Sequence, residues 1–182
     1  MQQGFLGITV QILREGVKKI SSFTFTSETV LGDSTAETGK VSLSVTGDPL
    51  EIENMKPGDI ADTTLTVTND GTIDALYYLS ADWKKEGTYT TARMATILAN
   101  RLMVTVTADP DNGADELYAG TLAGLLDQPT DGRPLSTTNG EEDLLIEIEL
   151  PADVSNIVQG LLIAVDFVFV AEDQPEEEEE EP

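Results

Sequence analysis

The 182-residue sequence contains no cysteine and no histidine. Without cysteine there are no disulfides, so any life outside the cell must rest on core packing and hydrogen bonding. Without both residues a Ser-His-Asp or Cys-His arrangement, an HExxH helix and a zinc site of the usual ligand types are all excluded. An all-carboxylate site is the chemistry that stays open. Basic residues are also scarce, at 10 Lys+Arg against 34 Asp+Glu, for a formal net charge of −24. A surface this acidic repels nucleic-acid phosphates and anionic lipid, so neither is expected as a partner. No stretch approaches the roughly 18 to 20 unbroken apolar residues of a membrane span. GFLGITVQIL makes a poor signal-peptide core, because MQQG before it lacks positive charge and a basic cluster follows where small residues should prepare a cleavage site.

The length suffices for one good core, so a single domain with tails is expected. The charge is uneven. Arg14, Lys18 and Lys19 stand against Glu15 in the first twenty residues, whereas the last twelve hold eight acidic residues and no basic one. A basic arm thus precedes an acidic body. Within the arm, GITVQI alternates as cleanly as any strand in the chain. Taken alone, it favours pairing within its own chain.

From residue 23 onward the pattern predicts an all-β domain. KVSLSV (40–45) sets Val41, Leu43 and Val45 on one face, and PLEIENM spaces Leu50 and Ile52 by two. KPGD (56–59) predicts a type II turn, with Pro57 presetting the first central residue and Gly58 taking positive φ. ADTTLTVTNDG alternates Leu65 and Val67 with threonines before an Asp70-Gly71 turn signal. ALYYLSADW (75–83) is a strand with either Tyr77 and Leu79 or Leu76 and Tyr78 inward. The period then changes: Met94, Ile97, Leu98 and Leu102 fall at helical spacing behind threonines able to cap, and MVTVTA (103–108) returns to strand. DELYAGTLAGLLDQ (115–128) reads as a second helix despite two glycines, and 127–143 as a loop. Two long strands, LLIEIEL (144–150) and LLIAVDFVFVAE (161–172), complete the domain. Leu43, Val45, Leu65, Val67, Ile146, Ile148, Phe167 and Phe169 are its expected core positions, and 173–182 an acidic disordered tail.

Several of these segments, in this order, are similar to those of a known family. Phe23 and Phe25, the TGKVSL strand (Thr38 to Leu43), MKPGD (Met55 to Asp59), Asn69 with Gly71, LYAGTLAGL, and Gln159-Gly160 before a long strand ending at Ala171 and Gln174 resemble the TasA/camelysin family of secreted biofilm-matrix filament proteins, archaeal bundling-pilus-like relatives included. The resemblance covers about residues 23 to 174. It implies a jelly-roll-like antiparallel β-sandwich with short helices, located outside the cell and used as the subunit of a filament or pilus for biofilm matrix or cell-cell adhesion. It implies head-to-tail homopolymers joined by donor-strand exchange. Residues 1–22 would then be a donor-strand arm, 23–172 the sandwich and 173–182 the tail.

On that reading Ile8, Val10 and Ile12 enter the neighbouring subunit's groove, while Gly7, Thr9 and Gln11 face out. An unpaired sheet edge is an aggregation hazard that a strand from another subunit covers with a backbone ladder. A monomeric secreted β-sandwich binding module is the alternative. Some camelysin relatives are described as metalloproteases, but the residue inventory leads us to expect no enzyme and no cofactor: imidazole and thiolate ligands are missing, and no Asp-Thr-Gly or Asp-Ser-Gly signature is present. DPDNGADE suggests a weak calcium loop through Asp109, Asp111, Asp115 and Glu116. Its glycine stands one place early for an EF-hand, and a plain acidic turn competes with that reading.

Overall fold

The computed structural model describes residues 8–12, 39–48, 50–138 and 140–174, with the backbone alone at 8–12, 51–54 and 156. The expected aromatics Phe23 and Phe25 and the acidic run after Gln174 lie outside these residues. The described strands are β1 (Ile8–Ile12), β2 (Leu43–Gly47), β3 (Glu51–Met55), β4 (Ile60–Asn69), β5 (Ala75–Glu86), β6 (Met103–Ala108), β7 (Asp115–Thr121), β8 (Gln128–Leu135), β9 (Glu141–Glu149) and β10 (Leu162–Asp173). One helix, α1 (Ala92–Ala99), separates β5 from β6. The strands form two five-stranded sheets, the first ordered β3-β1-β10-β5-β8 and the second β2-β4-β9-β6-β7. Every neighbouring pair is antiparallel except β1 with β10.

The two sheets pack face to face as a β-sandwich because their strands alternate. Tyr77, Leu79, Ile163, Val165, Phe167 and Phe169 line the inner face of the first sheet, and Leu65, Val67, Val104, Val106, Leu144, Ile146 and Ile148 that of the second. Fully burying a side chain of this size contributes about 1.5–3 kcal/mol. All the expected core positions are buried except Val45, which is half-buried against the core near the edge of the second sheet. The choice left open for 75–83 falls to Tyr77 and Leu79. Thr91 caps α1, its hydroxyl accepting from the Met94 amide at 3.3 Å. Leu98 and Leu102 are buried as their spacing predicts, while Met94 lies on the exposed side.

The turns carry their own chemistry. At KPGD the Asp59 amide donates to the Lys56 carbonyl at 2.9 Å, the Lys56 amide donates to Asp59 Oδ2 at 2.7 Å, and Gly58 takes φ of +92°. After β4, the Asn69 side chain holds a whole corner: Oδ1 accepts from the Gly71 amide at 2.8 Å, and Nδ2 donates to the carbonyls of Ile73 at 3.0 Å and Leu135 at 2.9 Å. A methyl group at Gly71 would stand 2.3 Å from the Lys40 carbonyl oxygen, so only glycine fits there.

Two expectations are corrected. Residues 115–128 are not a helix but β7 followed by a single 3₁₀ turn at Leu122–Gly124. Pairing along β6 outweighs a helical pattern that two glycines had already weakened. Residues 127–143 are not all loop, since they contain β8 and the first residues of β9. β8 carries Pro129 and Pro134, which read as loop signals. It is an edge strand, where a missing amide donor is tolerated, and its pairing with β5 is interrupted between Tyr77 and Leu79.

Candidate functional site

The N-terminal strand occupies an unusual place. β1 lies inside the first sheet rather than at its edge, parallel to β10 through Thr9 with Leu162, Val10 with Ile163, Gln11 with Ala164 and Ile12 with Val165. On its other side it runs antiparallel to β3, with Ile8 level with Met55, Val10 with Ile52 and Gln11 with Glu51. Three predicted donor positions thus sit in register with strand neighbours that face the core: Met55, Ile163 and Val165 are each at most 1% exposed. Without β1 the sheet would divide, leaving β3 alone and β10 with a bare edge. At the start of β10 the Leu162 amide is held by Thr90, itself buried, whose hydroxyl accepts at 2.9 Å.

The opposite edge of the sandwich holds a buried polar cluster. Tyr77 donates its hydroxyl proton to Glu142 Oε1 at 2.5 Å, and Arg133 donates to Glu142 Oε2 through Nε at 3.3 Å and Nη2 at 3.2 Å. Arg133 Nη1 also reaches Asp115 Oδ2 at 2.6 Å. Four strands meet here, β5 and β8 from the first sheet and β9 and β7 from the second. Glu142 is only 7% exposed, so its two oxygens are satisfied entirely by these donors. Burial, then the Glu142 charge, pushes the Tyr77 phenol far above its ordinary value. Burial alone would lower the Arg133 guanidinium, but hydrogen bonding to Glu142 and its charge outweigh burial and raise it. Chemically the cluster is a clamp across the two sheets. Sequence reading missed it because Glu142 lies in NGEED, which looks like loop; the usable signal was the alternation of Glu142 with Leu144, Ile146 and Ile148.

The four acidic residues singled out as a calcium loop divide between a turn and the start of β7. Asp109, at φ of +46°, accepts from the Asn112 amide at 2.9 Å through its backbone carbonyl, and Asp111 lies in the same turn. Asp115 and Glu116 open β7, level with Ala108 and Thr107, and Asp115 is committed to Arg133. Among the described residues no three carboxylates gather into a group that could hold a metal ion. No described helix is long and apolar enough to cross a membrane.

Comparison with known proteins gives one family. The family model described as camelysin metallo-endopeptidase matches residues 6–176. No curated protein matches. The family's description corrects the expectation that the chain belongs with non-enzymes, because it names the family for a metallo-endopeptidase activity. That activity implies a metal. The described residues do not fit one, since the chain has no imidazole or thiolate and its described carboxylates form no group of three. Family membership also carries a location, outside the cell, secreted or at its surface. Matched over nearly its whole length, the chain belongs to the TasA/camelysin family.

Proposed function

We propose that this protein is the structural subunit of an extracellular filament or pilus. Its jelly-roll-like body is residues 23–172, and residues 1–22 form an arm that joins subunits head to tail. β1 of one subunit fills the slot between β3 and β10 of the next. Family membership supports a filament-forming role. The observation that carries the mechanism is the place of β1, an interior strand with a backbone ladder on each side, separated from β2 by the stretch 13–42. Fully extended, that stretch spans at most roughly 100 Å, ample for reaching a neighbour. Donor and acceptor are different surfaces, so the contact repeats without closing and yields a fibre of one chain type.

Self-insertion and exchange make the same hydrogen bonds, so they compete through concentration. A tethered strand sees its own slot at an effective concentration on the order of millimolar. Assembly from dilute protein therefore needs crowding at the site of release or contacts between bodies in addition to the strand. Ile8, Val10 and Ile12 each contribute about 1.5–3 kcal/mol on burial, before ordering costs.

Replacing Ile8, Val10 and Ile12 together with Asp should abolish fibres in negative-stain micrographs, because three charges would have to be desolvated. The same change at Thr9 and Gln11 should be milder, as those positions fall on the other face of the strand. Equal effects from the two sets, or normal polymerisation of protein lacking residues 1–20, would remove the mechanism.

A further inference from the structure

Past the end of β1, the outer face of the first sheet carries two opposed carboxylates. Along β10 the inward Val165 and Phe167 alternate with Asp166, whose cross-strand partner on β5 is Asp82. Like charges directly opposite each other in a sheet repel. Other acidic groups of this face are engaged: Glu172 accepts from the Tyr78 hydroxyl at 2.6 Å, and Asp127 from Ser80 Oγ at 2.9 Å. Asp82 and Asp166 have no such partner among the described residues, and Asp166 Oδ1 is buried without a hydrogen bond. Lys84, two register positions away beside Ala164, forms no ion pair with either.

On the other flank of β10, β1 ends at Ile12, level with Val165 and one residue short of Asp166. The chain that follows is LREGVKKI, residues 13–20, with Arg14, Lys18 and Lys19 against a single Glu15. Resting on the exchange reading, we propose that the outer sheet face around Asp82 and Asp166 is the docking surface for this basic segment of the incoming arm. Each joint then consists of a strand in the slot and a cation over the carboxylate pair. The pairing also reads direction. An arm inserted antiparallel to β10 would carry its cations out beside Leu162, away from both carboxylates, so the charges select the parallel insertion that the apolar positions alone do not enforce.

The test is a charge cycle in the full-length protein, with R14Q/K18Q/K19Q, D82N/D166N and the two sets combined. The concentration at which protein begins to pellet as polymer is read at low salt and at about 0.5 M salt, where exposed charges are screened. Each set should raise that concentration about threefold at low salt. The combined variant should be no worse than either alone, and the differences should shrink at high salt. The sign is decisive, because neutralising a carboxylate pair that no cation covers relieves repulsion and should instead favour the fold. The same cycle is read in the thermal midpoint of monomer, where β1 sits in its own sheet and the proposal has its basic continuation meet the same carboxylates. Wild-type protein that never pellets sinks the exchange reading, and non-additive losses in the monomer midpoint would still uphold the docking surface. Independent, additive effects in both readouts, or stabilisation by D82N/D166N, overturn the docking proposal.

Discussion

Glu142→Ala tests the clamp between the sheets. The substitution leaves the Tyr77 hydroxyl, in a residue with no exposure, without its acceptor, and strips Arg133 of two hydrogen bonds. Breaking a buried ion pair from one side costs about 3–5 kcal/mol. Arg133 keeps some solvent and its bond to Asp115, with 23% of its side chain exposed, so the expected loss is nearer about 2–4 kcal/mol. Tyr77→Phe should cost less, about 1–3 kcal/mol, because Glu142 keeps both Arg133 donors on Oε2 and only Oε1 is left buried without a partner. Asp115→Ala should cost under about 1 kcal/mol, since that carboxylate is 57% exposed. The assay is urea unfolding followed by tryptophan fluorescence and circular dichroism, with the midpoint shifting and the slope unchanged. A ranking in which Asp115→Ala equals or exceeds Glu142→Ala would refute the reasoning, because burial would then have no bearing on the strength of the network.

Alkaline unfolding should follow from Tyr77. Its phenol is held well above the usual tyrosine value by burial and by Glu142, so above about pH 10 the unfolded chain loses a proton that the folded chain keeps. The stabilisation is intact below that pH and is lost as pH rises, by up to about 1.4 kcal/mol per unit; Tyr77→Phe should flatten the slope in denaturant titrations between pH 9 and 11.5. An unchanged slope would assign the alkaline loss to Tyr78 and Tyr118, whose phenols are also raised. Gly71→Ala, which sets a methyl 2.3 Å from the Lys40 carbonyl oxygen, should lower stability by about 1–3 kcal/mol in thermal melts. A neutral result would mean that the Asn69 corner is free to shift.

The sandwich was legible where one physical signal dominated. Leu65 and Val67, Ile146 and Ile148, and Phe167 and Phe169 alternate so regularly that no helical reading competes, and Thr91 announces its helix by capping chemistry. Legibility failed where local and tertiary preferences disagree. The leucines of 115–128 have helical spacing, yet the segment pairs with β6 and takes up a strand. Pro129 and Pro134 mark loops in most contexts, and only the edge position of β8 makes them compatible with a ladder. The clamp was invisible because Tyr77, Arg133 and Glu142 are far apart in sequence and ordinary in type. GITVQI announced a strand, but nothing local says which molecule completes its ladders, since self-insertion and exchange bury the same residues.

That ambiguity has a direct test, made clean by the absence of native cysteine. Gln11 and Ala164 are register partners across β1 and β10, so Gln11→Cys with Ala164→Cys places two thiols at the separation a disulfide requires. Oxidising dilute monomer should give a chain crosslinked to itself. Oxidising assembled fibres and running them under non-reducing denaturing conditions should give a ladder of covalent dimers, trimers and longer chains. Fibres that yield only internally crosslinked monomers would show that every subunit keeps its own arm, and would contradict exchange of β1 as the joint of the filament.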